Sequence, residues 1–90
     1  MKVKFFATYR PITGCSELDV PLCPDVHSLL GSLKARYPGF AEELLDESGL
    51  DLHPFTIILV NGRHIQHLEG VDTKLDNDDV VAVIPLVAGG

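Results

Sequence analysis

The chain closes on Gly89-Gly90, two residues without side chains placed straight after the run Val80-Val81-Ala82-Val83-Ile84 and the link Pro85-Leu86-Val87-Ala88. A buried strand gains nothing from such an ending, because glycine loses more backbone freedom on ordering than any other residue. A thin diglycine tail suits a different task, which is to thread a narrow channel and present its terminal carboxylate to a foreign active site. The plain alternative is a frayed terminus, the common state of chain ends. At neutral pH that carboxylate, with a pKa of about 3.5, is an anion and a poor electrophile, so any acyl chemistry at Gly90 needs prior activation. Other reactive residue types are sparse. Cys15 and Cys23 stand eight apart with no CxxC and no matching histidine spacing, so the sequence points to free thiols and to no metal site. His64 and His67, placed on one strand, would point to opposite faces and make poor joint ligands. No general base or nucleophile constellation is visible.

Thirteen acidic residues against seven basic ones leave a formal charge of −6, which argues against nucleic acid and favours a basic protein partner. The acids gather at Glu42, Glu43, Asp46, Glu47 and Asp51, and again at Asp76, Asp78 and Asp79; a solvated face accounts for the first group. With 46% apolar and 22% charged residues in 90, the composition is that of one ordinary globular domain. Its apolar runs are far short of a membrane span. Met1-Lys2-Val3-Lys4-Phe5 goes straight into strand-like alternation with no leader pattern, so a cytoplasmic protein is expected.

The elements that must carry the tail follow from periodicity. Residues 2–10 alternate, with Val3, Phe5, Ala7 and Tyr9 on one face, and Pro11 to Ser16 reads as the turn of a hairpin. Leu18, Val20 and Leu22 give a second strand, which Pro21 confines to an edge or ends. Asp25 is the expected N-cap of a helix whose apolar stripe is Val26, Leu29, Leu30, Leu33 and Tyr37. Gly31 inside it points to close packing on the sheet, Pro38-Gly39 stops it, and residues 40–45 add a short helical piece before a loop over 46–54. Phe55 to Val60 reads as a buried central strand, and Asn61-Gly62 as a type I′ hairpin turn. A short strand covers 63–67, residues 68–79 wander, and the last strand runs from Val80 to about Ile84, where Pro85 ends it.

The expected fold class is therefore α+β, a mixed sheet of four or five strands with one main helix packed on one face. One helix cannot cover both faces, so Phe6 and Ile84 belong to an open face if Phe5 and Val83 point inward. His64 or Ile65 joins them according to the parity of the short strand. Two large apolar residues there make a docking patch, set against the alternative of scattered surface apolars.

These residues resemble the sulfur-carrier family of ubiquitin-like β-grasp proteins, represented by MoaD and ThiS. The resemblance rests on Lys2-Val3-Lys4-Phe5-Phe6-Ala7, Thr13-Gly14, Val26-His27-Ser28-Leu29-Leu30 through Arg36-Tyr37-Pro38, Val60-Asn61-Gly62-Arg63, Thr73-Lys74-Leu75 and the ending from Asp79 to Gly90. Two departures stand out. Asn77-Asp78-Asp79 replaces the usual Asp-Gly-Asp, and Pro85-Leu86 replaces a frequent Pro-Pro pair. The longer middle, with 46–54 and 64–70, is closer to the archaeal-type MoaD group and to CysO-like carriers.

What the resemblance implies is a β-grasp domain over 1–84 and a flexible diglycine tail over 85–90. It implies no bound cofactor, ATP being used by the activating partner, and no catalysis by the chain alone. A ubiquitin-activating-type, MoeB-like adenylyltransferase would adenylate the Gly90 carboxylate, with Gly89 alongside, and sulfur would displace AMP to leave a thiocarboxylate. A MoaE-like synthase large subunit, or another acceptor enzyme, would then take the sulfur, with molybdopterin synthase the leading pathway. Cysteine or thiamine biosynthesis, or protein modification through Gly90, are the alternatives. Phe6, His64, Ile84, Pro85, Leu86, Val87 and Ala88 are the expected partner-binding residues; the last four carry the tail outward by about 3.3 Å each.

Overall fold

Asp25 opens the main helix as expected, its carboxylate accepting the Ser28 amide at 2.8 Å. In the computed structural model, which describes residues 1–7, 9–44 and 56–85 (without the side chains of 41–43), that helix is α2 (Val26–Arg36). The hydrogen bond from Ser28 lowers the Asp25 pKa, with smaller help from Lys74 and His27. Val26, Leu29, Leu30 and Leu33 are buried on one stripe, and Tyr37 is the half-buried C-cap. Gly31 does not pack on the sheet. It is exposed, and a Cβ there would meet nothing within 4 Å. α2 does end before Pro38-Gly39, and the expected short helical piece follows as α3 (Pro38–Leu44), which starts two residues earlier than expected because Pro38 opens it, as proline readily does in a first turn.

Five strands form one mixed sheet in the order β2-β1-β5-β3-β4. They are β1 (Lys2–Phe5), β2 (Glu17–Asp19), β3 (Thr56–Val60), β4 (Arg63–His64) and β5 (Val80–Pro85). β1 and β5 run parallel at the centre and every other pairing is antiparallel. β2 is a three-residue edge strand that stops before Pro21, so Leu22, expected within it, lies outside and exposed. Between β3 and β4, Asn61 and Gly62 have φ of 52° and 84°, the two left-handed positions of a type I′ turn. β5 runs one residue further than expected, through Pro85.

The first connection departs most from expectation. β1 stops at Phe5, Ala7 turns with φ 50°, and a short helix α1 (Tyr9–Thr13) stands where a hairpin turn is read from the sequence. Tyr9 is buried, but from this helix and not from the strand; its hydroxyl shares a 2.9 Å hydrogen bond with Thr56 Oγ1 at the start of β3. Thr13 Oγ1 donates to the Tyr9 carbonyl at 3.1 Å, closing the single turn. The helices and one sheet face enclose the core: Val3, Phe5, Ile58, Val60, Val81 and Val83 from the strands meet the α2 stripe, Phe40 and Leu44. Phe40 is its aromatic hub, edge-on to Phe5 at 5.7 Å and to Tyr9 at 4.9 Å. Phe55 and the loop expected over 46–54 lie outside the described residues.

Candidate functional site

Strand registers place the alternate residues of the sheet in rows on the face away from that core. Glu17 pairs with Lys4, Lys4 with Ala82, Ala82 with Leu59 and Leu59 with His64, one continuous row across all five strands. Ile84 pairs with Ile57 in the next row. Phe6 continues that row past the end of β1, held by its amide donating to the Val83 carbonyl at 3.2 Å. Phe5 and Val83 are fully buried, so the inward parity holds. Phe6, Ile84, Ile57, Leu59, Ala82 and His64 are all half-buried. An apolar field two rows deep therefore lies on this open face, and its second row passes through Ile84, one residue before Pro85.

Phe6 and Ile84 thus lie side by side on the open face as expected, and His64 is on the same face at its far edge, on β4. Ile65 is not; it is buried, because the chain leaves β4 after His64 and makes a 3-10 turn over Ile65–His67. His64 Nδ1 accepts the Gln66 amide at 3.0 Å and caps that turn. The same turn overturns the expected opposition of the histidines. Their rings stand edge to face, 6.2 Å apart, since His67 is not on a strand at all. Two residues sequence reasoning missed, Ile57 and Leu59, complete the field. Their signal was present in the β-branched run of β3, where alternate residues must face outward, but such a run does not tell an open face from a covered one.

Arg10 borders the field from α1. Its guanidinium lies over the Phe6 ring, 5.7 Å from the centroid, and its Nε donates to the Phe5 carbonyl at 3.1 Å. Lys2 and Lys4 share the Glu17 carboxylate at 3.7 and 3.9 Å, exposed ion pairs of small worth. At the far end Asn61 and Asp79 latch the β3–β4 hairpin to the start of β5. Asn61 Nδ2 donates to Asp79 Oδ1 at 2.7 Å, and the Val80 amide donates to Asn61 Oδ1 at 2.9 Å. Asp79 Oδ2 also accepts the Asp76 amide at 2.7 Å, so Asn77-Asp78-Asp79 builds its turn without a glycine. Leu86, Val87, Ala88, Gly89 and Gly90 lie outside the described residues. Among the described residues no three of His, Cys, Asp and Glu come together as a metal site, and no helix is long and apolar enough to cross a membrane.

The ThiS family pattern matches residues 3–90, all of the sheet but its first residue, and the range includes the diglycine. The chain belongs to the ThiS family. It shares 38% identity over 92 residues, 100% of this chain and 98% of the other, with small archaeal modifier protein 3 of Haloferax volcanii. Sulfur carrier protein CysO of Mycobacterium tuberculosis is 33% identical over 82 residues, 90% of this chain and 88% of its own. The molybdopterin synthase sulfur carrier subunit of Emericella nidulans is 29% identical over 89 residues, 99% and 96% of the two chains. Among solved structures, small archaeal modifier protein 1 of Methanosarcina acetivorans superposes with a TM-score of 0.82 at 40% identity, covering 99% of this chain and 94% of that one. The ubiquitin-like β-grasp fold is thereby shown, and this ThiS-family chain is a member of a group of sulfur carriers and ubiquitin-like modifiers.

Proposed function

We propose that this chain is a carrier whose terminal Gly90 carboxylate is activated by an ATP-dependent adenylyltransferase and converted to a thiocarboxylate. Adenylation joins the carboxylate oxygen to the α-phosphorus of ATP and releases pyrophosphate. A sulfide-level donor then attacks the carbonyl carbon, AMP leaves, and the C–S bond remains at Gly90. The observation that carries this reading is the family match over residues 3–90, a range that includes the diglycine. Every step takes place at a partner's active site, so the chain needs reach and a docking surface more than catalytic side chains. Phe6, Ile84 and His64 supply that surface, and the strand that carries Ile84 is followed in the sequence by the residues that end in Gly89 and Gly90.

The acceptor of the sulfur follows from the partner. A MoaE-like synthase subunit, with a MoeB-like activator, would make this the small subunit of molybdopterin synthase. The similarity to the Emericella nidulans subunit supports that branch. The similarity to CysO supports a cysteine-forming branch. A second reading, conjugation of Gly90 to lysines of target proteins, is favoured by the full-length 38% identity to small archaeal modifier protein 3. One experiment separates them: an N-terminally tagged chain is expressed in its own cells and blotted, with and without Gly90. A free band bearing a thiocarboxylate marks the carrier, and a ladder lost on removal of Gly90 marks the modifier. If the chain lacking Gly89-Gly90 still supports its pathway, both readings fall.

A further inference from the structure

The net charge of −6 favours a basic partner, but the charges are unevenly placed. On the open face the side chains bordering the apolar field from the β1 side are Lys4, beside Ala82, and Arg10, over Phe6. Glu17, on the outer edge strand β2, holds Lys2 and Lys4 in exposed ion pairs, and Asp19 lies opposite Lys2 on the same strand. What covers Phe6, Ile84 and Ile57 therefore meets in Arg10 a cation that has no carboxylate partner among the described residues.

Arg10 differs from an ordinary surface arginine in being held at both ends. Its backbone is fixed in α1, its Nε is committed to the Phe5 carbonyl, and its plane rests on the Phe6 ring. Among the described residues its two Nη groups have no acceptor. A guanidinium fixed in this way keeps its outer donors presented together, the geometry that takes a carboxylate through two parallel hydrogen bonds. Little side-chain freedom remains to be lost when it does so. Docking over Phe6 also removes water from around the pair, which strengthens a charged hydrogen bond and makes an unpaired charge costly.

Building on the carrier reading above, we propose that Arg10 is a partner-binding residue of the open sheet face, and that the surface docking there is an apolar patch bearing an Asp or Glu carboxylate at its rim. The carboxylate seats on Arg10 while the apolar patch covers Phe6, Ile84 and Ile57, with Lys4 adding long-range attraction. The charge of the whole chain therefore points to the wrong sign of partner at this face.

The test is calorimetric titration of the full-length chain with the ATP-dependent activating enzyme of the same organism, at low and at physiological salt. Arg10→Gln is expected to weaken binding about tenfold or more, the loss of one charge-assisted pair. Arg10→Lys should fall between, keeping the charge and losing the fork, and Glu17→Gln should bind as wild type or slightly tighter. Added salt should weaken wild type more than Arg10→Gln. Because Arg10 also bonds Phe5, Lys4→Gln, whose ammonium makes only an exposed ion pair, serves as a second variant and must weaken binding in the same direction. Arg10→Gln within twofold of wild type, or Glu17→Gln weaker than Arg10→Gln, overturns the proposal while leaving the carrier reading standing. A wild-type chain that the activating enzyme neither binds nor adenylates overturns both.

Discussion

Replacing Asn61 by Ala and, separately, by Gly divides the β3–β4 hairpin's stability into its two causes. Asn61 sits at φ 52°, a left-handed conformation that glycine adopts freely and alanine at a penalty of about 1–2 kcal/mol. Its side chain also makes two solvent-exposed hydrogen bonds, to Asp79 Oδ1 and from the Val80 amide, each worth about 0.5–1 kcal/mol at the lower end of the usual range. Asn61→Gly removes the bonds alone and should cost about 1–2 kcal/mol. Asn61→Ala removes the bonds and adds the backbone penalty, for a total of about 2–4 kcal/mol. In a domain of this size each kcal/mol moves Tm by roughly 4–8 °C, so the two variants are readily resolved by thermal unfolding, with urea titration as the check on ΔG. The consequence reaches the docking face, because this turn sets His64 opposite Leu59. Equal loss in the two variants would refute the left-handed backbone term. Two variants within about 0.5 kcal/mol of wild type would refute the latch altogether.

Gly31→Ala should stabilise the chain by about 0.5–1 kcal/mol in urea titration, since its Cβ meets nothing and alanine costs less to order in a helix. A loss of stability would mean that Gly31 packs closely after all. The Asp25 cap gives a pH dependence whose sign is fixed. Its folded pKa lies below the 3.8 of the free side chain, so its contribution is complete above that value and is lost as pH falls through the folded pKa. The stability difference between wild type and Asp25→Asn should therefore shrink as the solution is taken from pH 5 toward strong acid, about pH 2; a difference that grows on acidification would contradict the capping role.

Where local chemistry decides the structure, the sequence is legible. Asp25 and Ser28 announce α2, and Asn61-Gly62 announces the hairpin, because a cap and a left-handed turn each depend on residues a few positions apart. The start of α1 is not legible for the opposite reason. Tyr9 continues the apolar alternation of β1, yet it is buried through α1 by Phe40 and by a hydroxyl partner, Thr56, 47 residues away. Alternation cannot distinguish that from a longer strand. Gly31 misled because a helical glycine commonly marks close approach, and here the glycine faces outward. The parity of Phe6 and Ile84 was readable once Phe5 and Val83 were taken as core, and the rows across five strands then follow from register. The role of Arg10 was not readable, since its contact with Phe6 exists only through the turn at Ala7.

The mass of the intact protein tests the carrier chemistry most directly. After incubation with ATP, the activating enzyme and a sulfide donor, the chain should gain about 16 Da, the replacement of one carboxylate oxygen by sulfur, placed on Gly90 by C-terminal fragmentation. The gain should disappear when ATP is omitted and when Gly90 is deleted. An unchanged mass in the presence of an activating enzyme that consumes ATP on a related carrier would contradict the account.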